Sequence, residues 1–252
     1  MRHFLTILSH EIRMLLVSPG TYIAAVFFLA FMGFIFTGIL ETYSAAPQET
    51  SPATVFFQLF WIPVLLMVPL LTMKSISEER RHGTLETLLT SPVTTTEVVL
   101  GKYGAAYFLY IVLWGSTGVF FYILQKYAGD AHFLDSGPLY GGYIFIAISG
   151  LLFIAIGIFA SSLSRNQAVA GFLCFILLAM LLGLNFISNA DIFGQGLFTP
   201  VKTVADKARI FQHLADFSRG IVDTRQLLFY ISGTTLTLIL SILGIEAKLL
   251  HS

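Results

Sequence analysis

The residues able to do chemistry gather in one stretch of this chain: Lys74-Ser75-Ile76-Ser77-Glu78-Glu79-Arg80-Arg81-His82-Gly83-Thr84-Leu85-Glu86-Thr87-Leu88-Leu89-Thr90-Ser91-Pro92. Acids, bases and hydroxyls stand together there, and long uncharged runs flank them on both sides. Nothing in the pattern frames a catalytic reaction. A P-loop needs a glycine five residues before its Gly-Lys pair, and Thr96 stands five before Gly101-Lys102. His10-Glu11 begins a zinc-protease helix that Met14 ends, because the second histidine belongs at that position. Gly115-Ser116-Thr117-Gly118 is not a nucleophile elbow, and no charged partner is near it in sequence. His3, His10, His82, His132, His213 and His251 share no metal-ligand spacing. Cys174, the single cysteine, lies in an apolar run, so it forms no disulfide within the chain and reads as a small buried apolar residue. The chain is therefore expected to be no enzyme, with no catalytic, metal or cofactor residue of its own.

Binding chemistry is what the stretch suits. Gly83 frees the chain to turn, Thr84 can cap a short helix, and Glu86 lies near that helix's positive end. Leu85, Leu88 and Leu89 then form a stripe at i, i+3 and i+4, and Ser91-Pro92 stops the helix. Two turns would offer three leucines and a carboxylate. Such a stripe fits a partner's groove, or packs on the chain's own inner ends or on lipid headgroups.

The elements that must position this loop are membrane spans. Of 252 residues, 56% are hydrophobic and 11% charged, and the mean hydropathy is +0.82. Soluble domains carry about 25% charged residues, so this chain cannot clothe itself for water. The formal net charge is zero, which gives no electrostatic case for nucleic acid. Six uncharged runs reach the roughly 20 residues a span needs, at 21–40, 55–73, 103–124, 139–163, 168–188 and 227–245. The expected fold is all-α: a six-helix polytopic membrane protein forming one domain over 1–252. Residues 1–18 read as an amphipathic interfacial helix, with Phe4, Leu5, Leu8, Ile12, Leu15 and Leu16 on one face and Arg2, Thr6, Ser9, His10 and Arg13 on the other. With the amino terminus inside, Arg2, Arg13, Lys74, Arg80, Arg81, Lys102, Arg165 and Lys248 fall on the inner side, while the first outer loop holds Glu41 and Glu49 and no base. Both termini are thus expected in the cytoplasm.

Local signals refine this map. Thr94 and Glu97 form a capping box, so the third helix starts below the membrane, and Asp223 with Gln226 resembles a second box opening the last span. Pro63 and Pro69 are expected to interrupt the second span, each removing a backbone donor and inviting a kink. Gly115, Gly118, Gly141, Gly142, Gly150 and Gly157 are expected at close helix approaches. In the outer loop 189–226, Val204, Ala208, Phe211 and Leu214 or Ala215 recur at helical spacing and Gly220 can end the helix, so one or two short helices are expected to lie on or dip into the outer leaflet.

The run Glu78-Glu79-Arg80-Arg81-His82-Gly83-Thr84-Leu85-Glu86-Thr87-Leu88-Leu89-Thr90-Ser91-Pro92-Val93, continuing to Val99-Leu100-Gly101-Lys102, resembles the loop between the second and third spans of type-2 ABC transporter permeases. It is most similar to the gliding-motility-associated subfamily. Phe217-Ser218-Arg219-Gly220-Ile221-Val222-Asp223, followed by Phe229-Tyr230, resembles the family's lead into its last span. The resemblance implies that 74–93 is a cytosolic coupling loop whose helix seats in a separate ATP-binding subunit. Leu85, Leu88 and Leu89 would be buried contacts and Glu79 and Glu86 polar anchors, with Gly83, Thr84, Ser91 and Pro92 shaping the helix. It also implies a second permease chain, ATP and Mg held by the partner subunit, and a place in the inner membrane. The expected function is the permease half of an ATP-driven exporter for a hydrophobic or lipid-like cargo. The rival readings are a force-transmitting scaffold of an envelope machine and an ATP-independent channel or carrier.

Overall fold

The computed structural model describes residues 2–45, 50–83, 93–127, 136–189, 209–221 and 223–249. Their regular structure is helical throughout. In chain order the helices are α1 (Arg2–Val17), α2 (Pro19–Ala45), α3 (Pro52–Gln58), α4 (Trp61–Thr72), α5 (Ser77–His82), α6 (Thr95–Ser116), α7 (Gly118–Tyr127), α8 (Ser136–Leu163), α9 (Gln167–Asn189), α10 (Ile210–Ser218) and α11 (Thr224–Leu249). Six helical stretches are long and apolar enough to cross a bilayer, the second joining α4 to α5 and the third joining α6 to α7. All six expected spans are present.

Helix α8 is the hub, packed against α3, α4, α5, α6, α9, α10 and α11. Its small residues explain this role. A Cβ on Gly150 would fall 2.3 Å from the Tyr110 ring, and one on Gly157 would fall 2.3 Å from Thr72 Oγ1. Only hydrogen at these positions lets α6 and α4 come so near. Tyr103, Tyr107 and Tyr110 recur every three or four residues on α6 and donate their hydroxyls to the α8 carbonyls of Leu151, Ala147 and Ile146, at 3.2, 2.9 and 3.4 Å. At the far end, Phe36, Phe56, Phe57 and Phe121 pack mostly edge to face, with centroids 5.0–6.1 Å apart.

Several expectations need revision. Gly141, Gly142, Gly150 and Gly157 do stand at close approaches, but a side chain on Gly115 would meet open space and Gly118 has only an ordinary contact with Tyr143. The second span breaks at Leu59 and Phe60, ahead of Pro63. Pro63 sits in the first turn of α4, where a backbone N–H has no intrahelical acceptor, so the ring fits without breaking the helix. Pro69 lies inside α4, which runs on through it to Thr72 rather than being interrupted. The third span breaks at Thr117, whose hydroxyl donates to Trp114 O at 2.6 Å and lies 2.9 Å from Tyr143 Oη.

Val204 and Ala208 lie outside the described residues, and α10, the part of that loop helix that is described, does not lie free on a leaflet. Ile210, His213, Leu214 and Phe217 are buried, and the Phe217 carbonyl rests on Gly141, where a Cβ would fall 2.0 Å from it. Gly220 ends the helix region at φ +76°, as its type suggested. Asp223 caps α11 through Arg225 N–H at 2.8 Å, but Gln226 turns away from the cap and donates to Asp216 Oδ2 on α10. The expected second capping box is therefore half formed, and its other half ties α11 to α10.

Candidate functional site

Residues 74–83 of the polar stretch lie at one end of the bundle, where α1, α5, the first turns of α6 and the α8–α9 connection meet. Each element has a local reason for its place. At the start of α6, Thr94 Oγ1 accepts from Glu97 N–H at 3.3 Å, and Glu97 Oε2 accepts from Thr94 N–H at 3.2 Å. The expected capping box is thus complete, and it starts the helix two turns before Lys102. Helix α5 carries Glu78 and Glu79 in its first turn and Arg80, Arg81 and His82 in its last, the order its macrodipole favours. Gly83 closes it in the left-handed conformation, φ +70°, with its N–H bonded to Glu79 O.

Lys102 is the centre of the site. It is 3% exposed, and its ammonium donates to Glu11 Oε1 on α1 and Glu79 Oε1 on α5, both at 2.7 Å. Three helices distant in sequence therefore share one buried cation. A buried ammonium is tolerable only when charged or polar acceptors surround it, and two carboxylates supply that surrounding. Beside it, α1 lies directly on α6. A Cβ on Gly101 would come within 2.6 Å of Ile7 Cγ2, and one on Gly104 within 3.0 Å of Leu8 Cδ1. The two glycines form a groove that lets Glu11 reach Lys102.

A second set of bonds joins α5 to α8. Ser161 Oγ, fully buried, accepts from the N–H groups of Ile76 and Ser77 at 3.0 and 3.1 Å. The Arg80 guanidinium donates to Ser162 O. Helix α5 is thereby bonded to α6 and α1 through Glu79 and to α8 through its backbone and Arg80.

Of the residues expected to couple to a partner, Glu79 lies in the lysine cluster and Gly83 forms the cap. Thr84, Leu85, Glu86, Leu88, Leu89, Ser91 and Pro92 lie outside the described residues. Sequence reasoning missed Glu11 and Lys102; it placed Phe4, Leu8, Ile12 and Leu15 on the packed face of α1 correctly but added Leu5 and Leu16 to it and left out Ile7. Phe4, Ile7, Leu8, Glu11, Ile12 and Leu15 are partly buried, whereas Leu5 and Leu16 are 62% and 46% exposed. The signal available was an acid three residues after Leu8 and four before Leu15, on the helix face that packs. A carboxylate in that position needs a buried cation.

These features define a polytopic helical membrane protein whose polar end is pinned by one buried lysine. The ABC-2 family of transporter proteins matches residues 40–194, and the chain belongs to that family. The match runs from the end of α2 into the segment after α9, so it includes Glu79, Gly83 and Lys102 but not Glu11. The chain is also 30% identical over 161 residues to the probable multidrug ABC transporter permease YbhR of Escherichia coli strain K12, and equally to that of strain O157:H7. Those alignments cover 62% of this chain and 42% of each relative, so the chain spans less than half the length of the curated relatives it matches.

Proposed function

We propose that this chain is the membrane-spanning permease subunit of an ATP-driven type-2 exporter, working with a separate ATP-binding subunit and a second permease chain. The observation that carries the reading is the joining of α5 to α1, α6 and α8 through Lys102 and Ser161, immediately before Gly83 and the 84–92 segment. A push delivered to that segment reaches four helices of the bundle at once. Family membership supports the transporter class. In this reading ATP and Mg stay on the partner, both termini face the cytoplasm, and the inner membrane is the host. The relatives' description as multidrug permeases supports a hydrophobic or amphipathic cargo, and the uncharged spans agree with it. The finer likeness to gliding-motility permeases rests on the loop motif alone.

The test is co-purification with the cognate ATPase, with ATP turnover measured on the complex. Leu85→Asp or Leu88→Asp should abolish partner binding while membrane insertion stays normal. Normal partner binding by both variants would refute the coupling-helix assignment. Full transport by this chain without any ATPase would refute the reading as a whole.

A further inference from the structure

A cavity of about 490 Å3 opens beneath α1, between the α1–α2 junction and the α4–α5 turn. Its volume falls in the range of roughly 300–1,000 Å3 typical of small-molecule sites. The wall changes character along its length. Met14, Leu15, Val17 and Leu71 make one part apolar, and Lys74, Ser75, Glu78 and Glu79 make the other polar. The apolar part adjoins α4, which belongs to a membrane span, and the polar part adjoins α5, at the end of the bundle.

Two opposite charges face this space without a salt-bridge partner among the described residues: Lys74 and Glu78. Glu78 N–H is bonded to Lys74 O at 3.4 Å, so the pair is one helical turn apart, about 5.4 Å along the axis. They could pair with each other at this spacing, yet the Lys74 ammonium instead reaches α2 and sits over Gly20, where a Cβ would be 3.4 Å from it. Leu71, Lys74 and Glu78 therefore follow one another from the membrane span outward in the order hydrocarbon, cation, anion. A phospholipid with an amine headgroup has the complementary order, acyl chain, phosphate, ammonium.

We propose that this cavity binds the headgroup of a phospholipid bearing a primary amine, with the phosphate on Lys74, the ammonium on Glu78 and an acyl chain along Met14, Leu15 and Leu71. The charge balance of the wall, three carboxylates against two ammonium groups, disfavours an anionic headgroup. A quaternary ammonium is held best by aromatic faces, and among the described residues no aromatic ring of Phe, Tyr or Trp lines this cavity. A primary ammonium instead donates hydrogen bonds, which the Glu78 carboxylate accepts. Such a lipid would wedge α1 against the α4–α5 turn and hold the lysine cluster dry. The site does not depend on the transporter reading, because it is formed within one chain.

The test is native mass spectrometry of the purified full chain, without any ATPase. It is released from mixed micelles holding equal dioleoyl phosphatidylethanolamine, phosphatidylcholine and phosphatidylglycerol. The expected result is one retained ethanolamine lipid, preferred over either competitor by about tenfold, the equivalent of about 1.4 kcal/mol. Glu78→Gln should erase the preference of ethanolamine over choline, and Lys74→Gln should weaken both about equally. Soluble phosphoethanolamine in excess should leave the lipid in place. Equal retention of the three lipids by the wild type would overturn the proposal, as would a preference for the glycerol lipid. Variants that keep the wild-type pattern would also overturn it, and displacement by soluble phosphoethanolamine would overturn the assignment to a lipid.

Discussion

Replacing Lys102 by methionine tests whether the buried cation holds the polar end together. Methionine keeps much of the length and the apolar stem of lysine and removes the charge. Glu11 and Glu79 would then face each other with carboxylate oxygens no more than twice 2.7 Å apart. Removing one partner from a buried ion cluster costs about 3–5 kcal/mol. The two glutamates retain 19% and 26% of their exposure, which lets water relieve them and favours the lower end, about 3 kcal/mol. For a chain of this size each kcal/mol shifts the melting temperature by about 2–4 °C, so Lys102→Met should lower it by about 6–12 °C. Tryptophan fluorescence of the purified chain in detergent would read the transition, since Trp114 lies buried on α6. Glu11→Gln and Glu79→Gln alone should each cost less, about 1.5–3 kcal/mol, because Lys102 keeps its other carboxylate. The triple variant combining Glu11→Gln, Glu79→Gln and Lys102→Met should recover more than half of the loss, since neutral amides replace the opposed charges. A melting temperature for Lys102→Met within about 1 °C of wild type would refute the argument, as would a triple variant no better than the single one.

Gly101→Val should destabilise the seat of α1 by about 1–3 kcal/mol, because the new Cβ would overlap Ile7, and hydrogen exchange should show faster labelling across α1. Ser161→Ala removes the acceptor for two N–H groups; exchange at Ile76 and Ser77 should accelerate, with a loss of about 1–3 kcal/mol per unpaired donor. His213, buried on α10 with Nδ1 3.2 Å from Tyr230 Oη, has its affinity for a proton lowered by burial, while Asp216 and Asp223 oppose that effect. The depressed value means that the stabilisation by neutral His213 is complete above the ordinary histidine value of about 6.5 and is lost as pH falls from there to the lower folded value. Melting measured across that acid range should show a decline that His213→Gln flattens; the same slope in both proteins would refute the assignment.

The features legible in the sequence were those with a short-range rule behind them. The capping box at Thr94 needs only four residues, the left-handed Gly83 and Gly220 need one each, and the six spans follow from apolar length. The break before Pro63 is not legible in the same way, because a proline's effect depends on its position within the helix, which depends on where α4 begins. The lysine cluster was not legible as a cluster. Glu11 and Lys102 are 91 positions apart, and no spacing rule links them. Half of the signal was local nonetheless: a carboxylate on the packed face of α1, and a lysine in an α6 that starts two turns earlier than the apolar run suggested. Gly101 and Gly104 could have completed the inference, since small residues beside a lysine mark a place where another helix can approach.

Helix α5 shows why these long-range bonds matter. Six residues are too few to hold a helix in water, where nucleation alone is unfavourable by a factor of about a thousand. Its geometry must therefore be imposed by what it touches. The Glu79 carboxylate fixes it to Lys102 on α6, the Ile76 and Ser77 amides fix it to Ser161 on α8, and the Arg80 guanidinium reaches the Ser162 carbonyl. Those attachments run to two different helices, so the six-residue segment is held at more than one point. Gly83 is the first residue beyond them and has the left-handed backbone that a side chain would resist. Its N–H is bonded to Glu79 O, so it closes α5. In the proposed exporter, force arriving at α5 would leave it through Lys102 and Ser161. In that reading the buried lysine would link the stability of the polar end to the transmission of motion.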